Sequence, residues 1–239
     1  MSVFFKSNQA IDPITGCLNP MLTLTIIQKV AVWIIPVLLA ITLHEAAHAW
    51  AASRCGDTTA KMLGRLSINP FRHIDLIGTV LVPIVVGVLS NFNFIFGWAK
   101  PVPLNWNQLR HPRRDMALVA GAGPLSNLIM ALLWAGVFKL GLMLNPQTSS
   151  IALFMLLTGQ AGILINLVLA LLNLIPIPPL DGSKIVASLL PPHLSWQYLK
   201  IEPYGFLIII VLLVTGVLNW LLLPALNGAM YLLEGLFNL

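Results

Sequence analysis

Long apolar runs separated by short polar stretches dominate the chain, at roughly residues 24–53, 76–97, 116–141, 150–175 and 204–226. Each matches or exceeds the about 20 residues that a helix rising 1.5 Å per residue needs to cross the hydrocarbon of a bilayer. The polar stretches are too short to hold a soluble domain, and no repeat or low-complexity tract interrupts them. This pattern predicts an all-α polytopic membrane protein, a bundle of about four to six transmembrane helices with a re-entrant segment. The expected organisation is an N-terminal tail at 1–23, a membrane-embedded core at 24–203, and a C-terminal transmembrane or membrane-associated segment at 204–239. Residues 204–239 have room for one span plus a surface or second membrane helix around Pro224.

Composition agrees: of 239 residues, 58% are hydrophobic and 9% charged, with a mean hydropathy of +0.88. The first twenty residues are mixed in character and suggest no cleavable leader. Cys17 and Cys55 are too few for a disulfide framework and match no metal knuckle.

The net charge of +5 raises the possibility of nucleic acid, but its distribution argues against it. Most of the Lys and Arg fall in three loops, at Arg54, Lys61, Arg65 and Arg72, at Lys100, Arg110, Arg113 and Arg114, and at Lys184 and Lys200. Excess positive charge marks cytoplasmic loops, so these are topology signals first and contacts to anionic lipid second. The loop "LNPQTSS" carries no charge and belongs on the opposite side.

Against this apolar background "HEAAH", residues 44–48, stands out. On a helix, His44 and His48 lie one turn apart on one face, where both imidazoles can hold one metal ion. Glu45 lies about 100° round the helix, placed to take a proton from a water without ligating. That is the donor set of a zinc hydrolase. The alternative is a polar patch facing a pore, or histidines satisfied by neighbouring helices. Ionisable residues at membrane depth are costly and usually functional, and three within five positions favour the metal.

Two histidines need at least one further protein ligand. Among the eight acidic residues, Asp12, Asp57, Asp75, Asp115 and Glu202 sit in the tail or in loops beside basic groups, as solvated charges do. Glu234 has no ligating partner in its segment. Asp181 remains, in "NLIPIPPLDGSKI", where Pro176, Pro178 and Pro179 hold the chain extended. Irregular backbone at membrane depth is tolerated where it is buried or lines a cavity. Asp181 could equally cap the short helix that follows, and the two roles are compatible.

"HEAAH" within a span, "GPLSN" at Gly123–Asn127 and "NLIPIPPLDG" at Asn173–Gly182 together resemble the site-2 proteases, which are intramembrane zinc metalloproteases. The resemblance covers roughly residues 30–190. It implies that His44, His48 and Asp181 bind Zn2+ and that Glu45 is the general base. It also implies that Asn173 lies beside the reacting carbonyl, where its amide could stabilise the oxyanion. A membrane-spanning protein or peptide is the implied substrate, in the cell membrane of a prokaryote with the active site toward the cytoplasm. The chain departs from better-known members in lacking a PDZ insertion and a CBS domain.

A shared zinc requires the runs ending in "HEAAH" and "LDG" to cross the membrane in the same direction, so an even number of crossings must separate them. Residues 116–141 and 150–175 supply two. Residues 76–97, with basic loops on both sides and Pro83 and Gly87 available to bend them, are therefore expected to be re-entrant; an ordinary span is the alternative. "GWAKPVPLNW", residues 97–106, could offer an extended edge to an unwound substrate, although a plain loop is the simpler reading. Gly121, Ala122 and Gly123 suit close helix packing. Asn127 and Asn166 could be interhelical glue or could face the cavity. His73, His111 and His193 are ordinary loop histidines.

The competing function is a metal-ion channel or transporter using the same His and Asp residues. Such a protein would be expected to carry related polar clusters in two halves of the chain, and none is present. A different membrane metalloprotease would draw a glutamate ligand from a later helix, but Glu202 and Glu234 lack that context.

Overall fold

The computed structural model describes residues 24–67, 69 and 100–238. The tail at 1–23 and the segment at 76–97 expected to be re-entrant lie outside these residues. The described chain is helical: α1 (Ile26–Cys55), α2 (Thr59–Met62), a 3-10 turn (Trp106–Gln108), α3 (Pro112–Met143), α4 (Ser150–Asn173), α5 (Asp181–Leu189), α6 (Pro192–Leu199), α7 (Glu202–Val214) and α8 (Val217–Phe237). Among the described residues there is no strand.

Four helices, α1, α3, α4 and α8, are long and apolar enough to cross a membrane, so the protein is a multi-pass helical membrane protein. The 30 residues of α1 extend roughly 45 Å. The helix begins at a capping box, in which Thr25 accepts from Gln28 N and Gln28 Oε1 accepts from Thr25 N. These reciprocal bonds satisfy donors that the first turn cannot pair internally. It ends at Gly56, whose φ of 115° lies in the left-handed region that favours glycine.

The run at 204–226, expected as one span, is divided. Gly216, at φ 78°, breaks it into α7 and α8. At 13 residues, α7 reaches only about 20 Å and is too short to span alone. It forms a bent pair with α6 at 59°. Pro224 lies inside α8, in keeping with the second helix expected around it.

The core lies between α3 and α4. Ala131, Ala135 and Phe138 of α3 pack with Leu156, Leu157, Ala161, Ile163 and Leu167 of α4, joined by Val32 from α1 and Leu226 and Leu233 from α8. A Cβ on Gly159 would stand 2.7 Å from Phe138 N, so the two backbones nearly touch. In lipid this closeness replaces the missing hydrophobic drive between helices with dispersion contacts. Outward-facing Leu125, Ile129, Leu133, Trp220, Tyr231 and Leu232 are exposed, as suits side chains that meet acyl tails and the interface.

A short connection at 144–149 reverses the chain between α3 and α4. The C-terminal half of α1 contacts Val119 and Asn127 in the N-terminal half of α3, and α5 follows the C-terminus of α4. Hence α1 and α4 run in one direction and α3 opposes them. Arg110 N donates to Cys55 O at 3.0 Å, and Asn105 N donates to Asp57 Oδ2 at 2.6 Å. The chain therefore re-enters the described structure at the end of the bundle where it left.

Candidate metal centre

The last turns of α1 carry His44 and His48 on a buried face, at 8% and 6% exposure. Asp181 arrives from the first residue of α5, after the proline-rich turn that follows α4. Their ligand atoms form a nearly equilateral triangle: His44 Nε2 to His48 Nε2 is 3.1 Å, His44 Nε2 to Asp181 Oδ2 is 3.2 Å, and His48 Nε2 to Asp181 Oδ2 is 3.3 Å. Two tetrahedral ligands at zinc bond lengths stand roughly 3.3 Å apart, so the donor set and its spacing fit that ion.

The hydrogen bonds on the far sides of the rings sharpen this point. His44 Nδ1 faces Asn127 Oδ1 at 2.5 Å, and His48 Nδ1 faces Val119 O at 2.7 Å. Both partners are acceptors, so both Nδ1 atoms carry the proton and each neutral ring turns a bare lone pair at Nε2 inward. Asp181 Oδ2 is buried and has no hydrogen-bond donor. Three ligand atoms thus converge within one another's reach, an arrangement that a cation among them satisfies. Among the described residues this is the one cluster of three or more His, Cys, Asp or Glu side chains able to hold a metal ion.

Asp181 is not a helix cap. Leu180 occupies the N-cap position of α5 without a side-chain cap bond, and the Asp181 carboxylate turns to the histidines instead. The turn before it is held by its neighbours. Tyr198 OH donates to Pro176 O at 2.6 Å, and Gly205 of α7 lies so close that a Cβ there would overlap Pro178 O.

Glu45 is partly buried beside the triangle, and its Oε2 accepts from Val102 N at 2.8 Å. Val102 packs against Ala49 and Ala60, while Pro101 and Pro103 are exposed. Residues 100–105 are irregular, and the prolines have no N–H to offer an added strand. Asn173, in the last turn of α4, donates through Nδ2 to Leu169 O at 2.9 Å and is not part of the metal-ligating group.

The structure corrects the reading of two acidic residues. Asp57 and Asp115 are not solvated charges, each being 1% exposed. Asp115 accepts from His111 N at 2.8 Å and closes the start of α3. Asp57 accepts from Thr59 N at 2.9 Å and from Asn105 N. Burial works against its charge, but the hydrogen bonds from Thr59 and Asn105 prevail and hold the carboxyl below its usual range. The "GDTT" string carried a signal for this, because Asp readily accepts from the N–H two residues on.

Of the small residues in α3, Gly123 matters most here. A Cβ there would overlap His48 Nε2 and stand 2.6 Å from His44 Cε1, whereas one on Gly121 would meet nothing within 4 Å. Gly123→Ala should therefore weaken zinc binding by about tenfold, as disturbances next to a metal ligand commonly do. Alanine favours helix by about 1 kcal/mol over glycine, so the loss could not come from helix propensity. Competition against a chromophoric chelator measures it, and unchanged affinity would mean that the rings tolerate the methyl.

Comparison with known proteins adds an independent observation. Over 198 residues the chain is 41% identical to "Putative zinc metalloprotease YwhC" of Bacillus subtilis (strain 168), an alignment covering 82% of this chain and 85% of that protein. The chain belongs to the YwhC family. It is also 31% identical over 182 residues to "Putative zinc metalloprotease Rip2" of Mycolicibacterium smegmatis, covering 76% of this chain and 66% of Rip2. The Mycobacterium tuberculosis H37Rv protein of the same name is 26% identical over 189 residues. No family model matches the chain, and no solved structure matches it. The names of these YwhC-family relatives agree with a His, His, Asp group able to hold a metal.

Proposed function

We propose that this protein is an intramembrane zinc metalloprotease of the site-2 type, hydrolysing peptide bonds of membrane-spanning substrates. The observation that carries the reading is the convergence of His44, His48 and Asp181 on one point, with Glu45 next to His44 on a helix apolar enough to span a membrane. His44, His48 and Asp181 would hold a zinc ion, which when bound would supply acidification of a water and polarisation of a carbonyl. Glu45 takes the proton from the attacking water at its carboxylate and returns it to the leaving amine. Val102 N–H holds one carboxylate oxygen, so the group keeps its aim between turnovers. Asn173 spends one amide hydrogen on Leu169 O, which leaves its other amide hydrogen to serve an oxyanion. The basic residues at the site end of the bundle, Arg54, Lys61, Arg110, Arg113 and Arg114, favour a cytoplasmic active site.

Purified protein in lipid vesicles should cleave a single-span reporter peptide, stop on chelation and recover with added zinc. Stoichiometric zinc without cleavage of any single-span reporter would overturn the protease reading in favour of metal transport.

A further inference from the structure

The two histidines are aimed by different means. His48 leans on a main-chain carbonyl, Val119 O, which no substitution can remove. His44 leans on Asn127 Oδ1, a side chain, and that side chain is itself held. Asn127 Nδ2 donates to Ala40 O at 3.3 Å and to Asn166 Oδ1 at 2.9 Å. Asn166 Nδ2 donates to Gly162 O at 2.8 Å. Both asparagines are fully buried, at 0% exposure, on α3 and α4.

The direction of every amide in this series is determined. Backbone carbonyls can only accept, so Gly162 O demands the NH2 end of Asn166 and Ala40 O demands the NH2 end of Asn127. The oxygen of Asn166 is then turned to Asn127, and the oxygen of Asn127 to His44. An oxygen there allows one tautomer of neutral His44, with the proton on Nδ1 and the lone pair on Nε2 pointing at the metal position.

We infer that Asn127 and Asn166 are positioning residues that fix the tautomer and ring orientation of His44 for metal binding, in a relay running from α4 through α3 to α1. The relay rests on the zinc reading proposed above. It places two polar residues of the apolar spans in the service of one ligand, and it makes His44 the ligand exposed to any shift of α4 against α3. Partners of this kind typically govern metal affinity by 10–100-fold.

The test is zinc affinity by chelator competition, alongside thermal unfolding of the metal-free protein. Asn127→Leu should lower zinc affinity by about 10–100-fold. Asn127→Asp keeps an acceptor for His44 Nδ1 while losing both donated bonds, and should retain more of the affinity than Asn127→Leu. If the pair were only glue between helices, both variants would lose metal-free stability and neither would lose zinc affinity. Should Asn127→Leu fail to fold, Asn166→Ala, which removes the shorter of the two bonds that hold the Asn127 amide and leaves only the one to Ala40 O, carries the test through a smaller loss of affinity. A folded Asn127→Leu or Asn166→Ala protein that binds zinc as tightly as the parent overturns the relay. Failure of the parent to bind zinc, with His44→Ala as control, overturns the metal reading instead.

Discussion

Cleavage of a single-span reporter should fall by about two to four orders of magnitude in Glu45→Gln, the range that a positioned general base contributes, while bound zinc stays at the parent level. Geometry makes the substitution clean. Glutamine has nearly the size of glutamate, and its Oε1 can still accept from Val102 N, the bond that Glu45 Oε2 makes at 2.8 Å. Position is kept, and the ability to take a proton from water is lost. Glu45 lies outside the ligating triangle of His44, His48 and Asp181, so metal content should not follow activity. Normal cleavage by this variant would remove Glu45 from the mechanism, and loss of zinc with cleavage would make it a ligand.

Asp181→Asn should separate metal binding from folding in a less familiar way. The carboxylate oxygen that faces the histidines is buried without a donor, so in the absence of a metal it repels two lone pairs. Asparagine can turn its NH2 toward those lone pairs and donate to them. It does not unmake a helix cap, since Leu180 holds that position. Only a weak interaction of the charge with the helix N-terminus is lost, about 0.3–1 kcal/mol. In chelator the variant should therefore melt no lower than the parent. With zinc added, the parent should gain stability as RT ln(1 + [L]/Kd), whereas the variant gains much less because its affinity has dropped by about tenfold or more. Proteolysis should fall with it. Equal zinc-induced shifts in melting temperature for both proteins would show that Asp181 is not a ligand.

The membrane architecture was legible in the sequence because in lipid a helix must satisfy its own backbone, and length and apolarity then define it. The runs at 24–53, 116–141 and 150–175 were legible as spans for that reason. The break at Gly216 was not, since one glycine inside an apolar run costs a helix only about 1 kcal/mol and does not announce a turn. The helix expected around Pro224 is α8, which carries that proline in its interior. His44 and His48 were readable from helical spacing, and Asp181 from its irregular setting. That Asp57 and Asp115 are buried was not readable from charge pattern, because backbone N–H groups of Thr59, Asn105 and His111 solvate the two carboxylates, with Arg114 also paired to Asp115 at 3.3 Å. Asn127 and Asn166 could be seen as buried amides, but their order along a relay depends on which helices touch, and periodicity does not specify that.

The bonds from Arg110 N to Cys55 O and from Asn105 N to Asp57 Oδ2 work as a clasp. They hold residues 105–110 to the foot of α1, and Val102 N extends the same clasp to Glu45. The aim of Glu45 is thereby tied to the foot of the same helix that carries His44 and His48, so that the base and two of the metal-ligating side chains move as one body.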